Sequence, residues 1–247
     1  MVFRPEKISK IEAAETHEQL KKTLEEESIG LREKGFEVDN ECRVKSEAFN
    51  RFFPAEIIKR DLERVKESET WFQKKTSPET AEKEKRGEAL EMAKTIGFNR
   101  HWFGNRLISV RTSKYDDFFN GVDNLIIDTK TGEPLAAVDT AVNYLIKAKQ
   151  LIGKIQSGCA VKYGFGLTPE GVTKTSYKNL PLFIISLGQA EMDQIASGDF
   201  KDVEKNLLSS LQRQGHDFSD PEFPAAPEVK SSYQRVGAIF NELKSEK

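Results

Sequence analysis

The chain has 247 residues, of which 37% are hydrophobic and 32% are charged, with a formal net charge of −2 at pH 7. This charge gives no overall electrostatic case for nucleic-acid binding. The 16 phenylalanines exclude the composition of a disordered chain, so we expect a folded α/β protein.

Residues 1–77 are predicted to form a long, charged helical region. Within Glu18–Arg32, the leucines recur at helical spacing among charged residues. Pro54 is suited to the first turn of a second helix, and Ala55–Phe72 continue it. The charged surface of these helices is a candidate site for a protein partner.

Residues 78–215 are predicted to form an α/β core. Ser77 and Pro78 have the pattern of an N-cap and a first helical residue, and the helix they start is expected to end at Gly97. The period then changes, and the pattern predicts strands at Leu107–Val110, Val122–Ile127, Leu135–Val142, Cys159–Phe165 and Leu182–Leu187, with a helix at Ala141–Ile155. We therefore expect a mixed central sheet of about four to five strands.

Helices are predicted again after Gly188, at Gln189–Ala196 and Phe200–Arg213. The final segment, residues 216–247, is predicted to contain a proline-containing loop, Asp217–Val229, followed by an amphipathic helix, Ser231–Lys244.

Two aspartates are predicted to face each other on one hairpin. Asp123 and Asp139 are equally distant from Thr131, the centre of a turn-like segment between two apolar runs. Opposed like charges destabilise a strand pair and raise each other's pKa unless a cation neutralises them. Carboxylate oxygens are the ligands that Mg²⁺ and Mn²⁺ prefer, so the pair predicts a divalent-metal site. The alternative is that either aspartate caps a turn or faces solvent, which a register shift of one residue would produce.

The stretch "GVD", an apolar strand, a turn and then "AAVD" resembles the core of the PD-(D/E)xK nucleases, which share the restriction-endonuclease-like fold. The predicted order of a helix, three strands, a helix and a strand is also that of the nuclease core. The resemblance covers roughly Glu88–Gly188. It implies that Asp123 and Asp139 take the two acidic positions of the motif.

The position of the motif lysine is occupied by Ala141. Some members of the family carry the basic group on the following helix, which makes Lys147 and Lys149 candidates for its role. The family often adds an acid from the helix before the first strand, a position that Glu91 or Glu88 could fill as a metal ligand. For each of these four residues, an ordinary solvent-facing position is the alternative.

Three further features have structural alternatives. Asp116 and Asp117 are typical turn residues, and either could instead lend an outer metal ligand. The segment His101-Trp102-Phe103 could stack on an unpaired base, but an aromatic plug of the core is the favoured interpretation. Cys42 and Cys159 lack the spacing of a disulfide framework or a zinc site and are expected to be free thiols.

Charge is unevenly distributed along the chain. Residues 101–180 carry 10 Lys and Arg against 7 Asp and Glu, a net charge of +3, which is the only basic segment. A modestly basic centre suits a polyanionic substrate. The resemblance implies a Mg²⁺- or Mn²⁺-dependent nuclease acting on nucleic acid, with DNA favoured over RNA but the choice left open. The alternative is an inactive nuclease fold that binds nucleic acid or protein. With no apolar signal segment and no membrane-length apolar run, a cytoplasmic protein is expected.

Overall fold

A computed structural model describes residues 5–75, 77–100, 102–141 and 143–245. His101 of the aromatic segment and Val142 at the end of the predicted third strand lie outside these ranges. The helices are α1 (Pro5–Glu33), α2 (Ala55–Lys75), α3 (Pro78–Arg100), α4 (Tyr144–Ser157), α5 (Gln189–Ser197), α6 (Lys201–Ser219) and α7 (Pro227–Ser245). The strands are β1 (Leu107–Arg111), β2 (Asn124–Asp128), β3 (Pro134–Thr140), β4 (Cys159–Thr168), β5 (Gly171–Leu180) and β6 (Leu182–Ile185).

The central sheet is mixed and has four strands in the order β1-β2-β3-β6. Strand β2 pairs antiparallel to both β1 and β3, whereas β6 pairs parallel to β3. Asn124 pairs with Val138, which is the register expected for a hairpin centred on Thr131. A bulge between Ile126 and Ile127 shifts the register only on the loop side, so the prediction for the aspartate end of the hairpin is confirmed.

The predicted strand at Cys159–Phe165 exists, but it does not join the central sheet. It is part of β4, which pairs with β5 in a separate two-stranded sheet. The sequence pattern missed β5 because its residues, GVTKTSYKNL, are mostly polar and mostly not buried. The strand that completes the central sheet after α4 is therefore β6.

The helical prediction for residues 1–77 is wrong between α1 and α2. Residues 36–45 form a small turn-like extension with a bridge from Val38 to Val44, and a 3-10 helix follows at Ser46–Phe49. A second bridge joins Arg43 to Arg111, so this extension lies along the outer edge of β1. The starts of α2 and α3 are confirmed by the structure.

The C-terminal helices are longer than the sequence predicted. Helix α6 continues from the predicted end at Arg213 to Ser219, and α7 begins at Pro227 rather than Ser231. Proline at the first helical position is favourable because its missing N–H has no intrahelical partner there. The loop is thus shortened to residues 220–226.

The four strands of the central sheet are buried along almost their whole length. A sheet buried on both faces reads as continuous apolar runs rather than strict alternation. Helix α1 packs on α3, α3 packs on β1, and α4 and α6 pack on β6. Among the helices of the described residues, none combines the length and apolar character that crossing a membrane requires.

Candidate functional site

The two predicted aspartates lie together where β2 begins and β3 ends. Asp123 directly precedes β2, and Asp139 is the penultimate residue of β3. Both are buried, with relative exposures of 8% and 3%. The Oδ2 atom of Asp123 accepts hydrogen bonds from the hydroxyl of Thr140 and from its backbone N–H, the latter at 2.7 Å. These contacts hold the carboxylate across the hairpin, beside Asp139.

A lysine that the sequence did not predict for this site contacts Asp123. Lys94, on the late half of α3, is fully buried, and its Nζ lies 3.5 Å from Oδ2 of Asp123. The neighbouring positions on α3 from Ala89 to Phe98 are buried almost without exception, so this helix passes through the protein interior. The signal in the sequence was a lysine within the apolar half of the helix, three residues after Glu91.

Of the two lysines predicted to replace the motif lysine, only Lys147 contacts an aspartate. Its Nζ lies 2.8 Å from Oδ1 of Asp139, and Asn143 caps the start of α4 that carries it. Lys149 is exposed, and no ion pair of the described residues includes it. The geometry therefore brings Lys147 into the site and leaves Lys149 at the surface.

Glu91 lies at the same site but is bound by arginines. Its Oε2 accepts a 2.6 Å hydrogen bond from Nη2 of Arg111, and Nη2 of Arg43 is 3.8 Å away. The assignment of Glu91 as a metal ligand remains a prediction. Glu88, the other acid considered for that role, instead contacts His17 at 3.3 Å.

The adjacent aspartates Asp116 and Asp117 have different surroundings. Asp116 is fully buried and accepts hydrogen bonds from Ser113, Asn120 and the backbone of β4, which is a structural role. Asp117 accepts a 3.0 Å hydrogen bond from Nη1 of Arg43, which places it at the rim of the same charged network. Both lie on a π-helical turn at Asp116–Asn120.

The electrostatic environment separates the two hairpin aspartates. Burial raises the pKa of Asp139 to about 7, with a further contribution from the negative charge of Asp123. Burial also opposes ionisation of Asp123, but the Lys94 ammonium and the hydrogen bonds from Thr140 lower the pKa of that carboxyl. The pKa of Lys94 is itself lowered by burial, against the attraction of Asp123. The pKa values of Asp139 and Lys94 are both shifted in the direction that favours the neutral form. A cluster of groups with such shifts is typical of functional sites.

The donor set of this site fits a divalent cation bound through two carboxylates. The contacts described above use one oxygen of each carboxylate, Oδ2 of Asp123 and Oδ1 of Asp139. Mg²⁺ is commonly held by one or two carboxylates, and water completes its coordination shell. A cation beside both aspartates would also relieve the repulsion that raises the pKa of Asp139. Within the described residues, no three His, Cys, Asp or Glu side chains are grouped closely enough to hold a metal ion.

The aromatic segment before β1 is part of the core. Trp102 and Phe103 have relative exposures of 0% and 1%, and both rings contact Phe98. The interpretation of these two residues as a core plug is confirmed, and a base-stacking role for them is excluded by their burial. The prediction of free thiols is confirmed as well, since Cys42 and Cys159 are both buried and unpaired.

Comparisons of this chain with known protein families, with curated proteins and with solved structures returned no match. Function is therefore inferred from the geometry and chemistry of the site.

Proposed function

We propose that this chain is a metal-dependent, nuclease-like protein of the restriction-endonuclease-like fold that hydrolyses phosphodiester bonds of nucleic acid. The observation that carries the proposal is the buried Lys94 ammonium, 3.5 Å from Asp123. Asp123 itself lies on a hairpin that places it beside Asp139. The resemblance to the PD-(D/E)xK nucleases requires two acids and a basic group at one site. Lys94 supplies that group from α3, although Ala141 stands at the motif position.

The order of elements supports the fold assignment. Helix α3 is followed by three antiparallel strands, then α4, and then β6, which returns parallel to β3. This is the order of helix, three strands, helix and strand that the resemblance implies. The β4–β5 hairpin is an insertion between α4 and β6.

Each side chain of the site has a role in this proposal. Asp123 and Asp139 would hold Mg²⁺ or Mn²⁺, which when bound lowers the pKa of a water and stabilises charge on the phosphodiester. Lys94 would orient the attacking water through Nζ, and burial lowers the pKa of its ammonium, which favours release of a proton. Lys147 places a positive charge beside Asp139 at the more open side of the site.

Cleavage of labelled nucleic acids tests the proposal. Single-stranded and duplex DNA and RNA are incubated with Mg²⁺ or Mn²⁺, and wild type is compared with Asp123→Asn and Asp139→Asn. Cutting by wild type should be lost in both variants, while circular dichroism shows that they remain folded. Asp199→Asn, a change at an exposed aspartate between α5 and α6, is the matched control and should cut normally. Wild-type cutting by Asp123→Asn would contradict the assignment.

Metal binding is tested separately by thermal unfolding. A ligand that binds only the folded state stabilises it, by about 2.7 kcal/mol at a concentration 100 times its Kd. Mn²⁺ should raise the melting temperature of wild type and of Asp199→Asn, but not of the double variant Asp123→Asn/Asp139→Asn. An equal shift in all three proteins would place the metal elsewhere.

The alternative function is an inactive nuclease fold that binds nucleic acid or a protein partner. It is favoured by one observation: Lys147 Nζ already lies 2.8 Å from Asp139, where it neutralises a carboxylate that would otherwise attract a metal. In that case the charged helices α1 and α2 would carry the partner surface. Retained nucleic-acid binding without cleavage by any form would support this alternative.

We also propose a cytoplasmic location. The support is chemical, since Cys42 and Cys159 are free thiols, and structural disulfides are usual only in oxidising compartments.

A further inference from the structure

Four exposed aromatic side chains lie where the end of α2 meets the π-helical turn, and they are here called the aromatic row. Trp71 and Phe72 belong to the last turns of α2, and Phe118 and Phe119 belong to the π-helical turn. Their relative exposures are 52%, 47%, 38% and 36%. Trp71 contacts Phe72 at 4.9 Å between ring centroids, and Phe72 stacks on Phe118 at 5.8 Å with an interplanar angle of 27°. An exposed apolar patch of this kind marks a binding surface more often than an isolated apolar side chain does.

The row is fixed in place by polar contacts on both sides. An ion pair joins Lys114 to Glu69, two residues before Trp71. The guanidinium of Arg64 lies 4.2 Å from the ring centre of Phe119. The end of α2 is thus held against the π-helical turn, and the rings form a preorganised surface rather than scattered side chains.

The row begins beside the carboxylate site. Phe118 directly follows Asp117, whose carboxylate is bound by Arg43, and Arg43 also lies 3.8 Å from Glu91. Burial raises the pKa of Asp117, and Asp123 is close enough for its charge to raise that pKa further, so the row adjoins the charged network around the aspartate pair.

The ligand class follows from the chemistry of the row and of its neighbours. Aromatic rings bind the faces of unpaired bases, which a duplex keeps stacked within its own helix. A cleft of about 790 Å³ lies near the row, since Lys114 on its wall pairs with Glu69, two residues before Trp71. Four cations line this cleft, against three acids: Arg32, Arg43, Lys45 and Lys114 against Glu37, Asp39 and Glu47. Arg43 and Lys114 already pair with Asp117 and Glu69, which leaves Arg32 and Lys45 to contact the phosphates of a strand whose bases lie on the rings.

We infer that the aromatic row binds unpaired bases, and that the substrate of the site is single-stranded nucleic acid or a single-stranded end. This inference rests on the proposed function, of which it specifies the substrate class. The row supplies base stacking, and the cations beside it supply phosphate contacts. A strand held in this way lies near the aspartate pair, and the protein does not have to unwind a duplex first.

Binding measured without metal tests the inference independently of cleavage. A labelled oligothymidylate and a duplex of the same length are titrated with the full chain in EDTA at fixed ionic strength. The single strand should bind more tightly. Of the two tryptophans in the chain, Trp102 is fully buried and Trp71 is half exposed, so quenching of the emission should come from Trp71.

Single alanine variants identify the surface. Trp71→Ala and Phe118→Ala should each weaken single-strand binding about 5- to 100-fold, the effect of losing one base–aromatic stack. Phe52→Ala is the matched control, because Phe52 is 54% exposed but lies outside the row. It should bind as wild type does.

Several outcomes would overturn the inference: equal affinity for duplex, unchanged binding by both row variants, or no binding of any nucleic acid. A dimer in size-exclusion chromatography that dissociates on Trp71→Ala would also overturn it, because a second copy would then cover the row. Failure of the proposed function would give a different result from failure of this inference. Metal-dependent cleavage would then be absent, while binding of the single strand in EDTA would remain.

Discussion

At the residue scale, Lys94 is the least expected feature of the site. A lysine with no exposed surface either pairs with nearby carboxylates or gives up its proton, because burying an isolated ammonium costs several kcal/mol. Asp123, Glu91 and Asp139 all act on its charge, in that order. Well-packed apolar residues would give the folded protein the same stability as this buried charged cluster. The presence of the charged cluster therefore favours a chemical role for Lys94.

The lysine that serves in cleavage can be identified by matched substitutions. Lys94→Met keeps the length of the side chain and removes the charge, so we expect metal-dependent cleavage to fall about 10²- to 10⁴-fold, as for loss of a general acid–base group. Lys149→Met, at an exposed position of α4, should leave the rate unchanged. Initial rates are measured with circular dichroism as a check of folding. A Lys94→Met protein that folds and cuts normally would move the role to Lys147.

Asp139 should make folding stability depend on pH. Its pKa is about 7 in the folded protein and near 3.8 ordinarily, so the folded state holds the proton more tightly between these values. This contribution to stability is present at low pH, is lost as pH rises from about 4 to about 7, and is absent above 7. In EDTA, the stability of wild type relative to Asp139→Asn should fall over that window by at most about 1.4 kcal/mol per pH unit. Urea titrations at several pH values measure this, and a constant difference from pH 4 to 8 would contradict it.

The sequence identified part of the site, because some of its contacts are local. The register of a hairpin follows from its loop and its alternation, which brought Asp123 and Asp139 together, and Lys147 lies eight residues beyond Asp139. The contacts of Lys94 and Arg43 depend instead on how α3 and the 36–45 extension pack on the sheet. Such long-range packing leaves no periodic signal near either residue.

At the element scale, α3 illustrates how tertiary packing changes a helix end. Gly97 was expected to stop the helix, as glycine often does, but α3 continues to Arg100. The ring of Trp102 folds back over Gly97, and a Cβ built there would lie 2.5 Å from three of its atoms. Glycine is therefore required at this position for close packing, not for a left-handed turn.

Two glycines of the same helix should respond in opposite ways to the same substitution. Gly87→Ala meets no atom within 4 Å and should stabilise the protein by about 0.5 to 1 kcal/mol, through helix propensity. Gly97→Ala gains the same propensity but must displace Trp102, so we expect a net destabilisation of about 1 to 3 kcal/mol. Urea unfolding followed by circular dichroism compares the two variants. Stabilisation by both would show that Trp102 moves at little cost.

At the scale of the whole molecule, side chains close the central sheet at both edges. At the β1 edge, Asn99 of α3 accepts a hydrogen bond from Ser109 N–H and donates one to Ser109 C=O. At the β6 edge, Gln214 of α6 does the same for Ile184, at 2.9 Å in both contacts. The hydroxyl of Tyr233 on α7 likewise bridges the N–H and C=O of Leu182. Unpaired edges invite association with other chains, so these contacts protect the sheet and attach the C-terminal helices to it.

The sequence anticipated the sheet and the helices but not how they join. The apolar runs fixed the strands of the central sheet, whereas β5 was missed because its mostly polar residues lack that pattern. Nothing in the local sequence distinguishes Gln214 or Tyr233 from other polar residues of amphipathic helices. Their role arises only when α6 and α7 lie beside β6.

Removing the hydroxyl of Tyr233 tests whether this edge contact stabilises the molecule. Tyr233→Phe keeps the buried ring but leaves the backbone groups of Leu182 without that partner, so the free energy of unfolding should fall by about 1 to 3 kcal/mol. Tyr144→Phe makes the same chemical change at a half-buried hydroxyl that has no hydrogen bond to the described residues, and its effect should stay within about 0.5 kcal/mol. Denaturant titrations give both values. If the two variants were equally stable, water would replace the hydroxyl at the edge, and the attachment of α7 would depend on its apolar face alone.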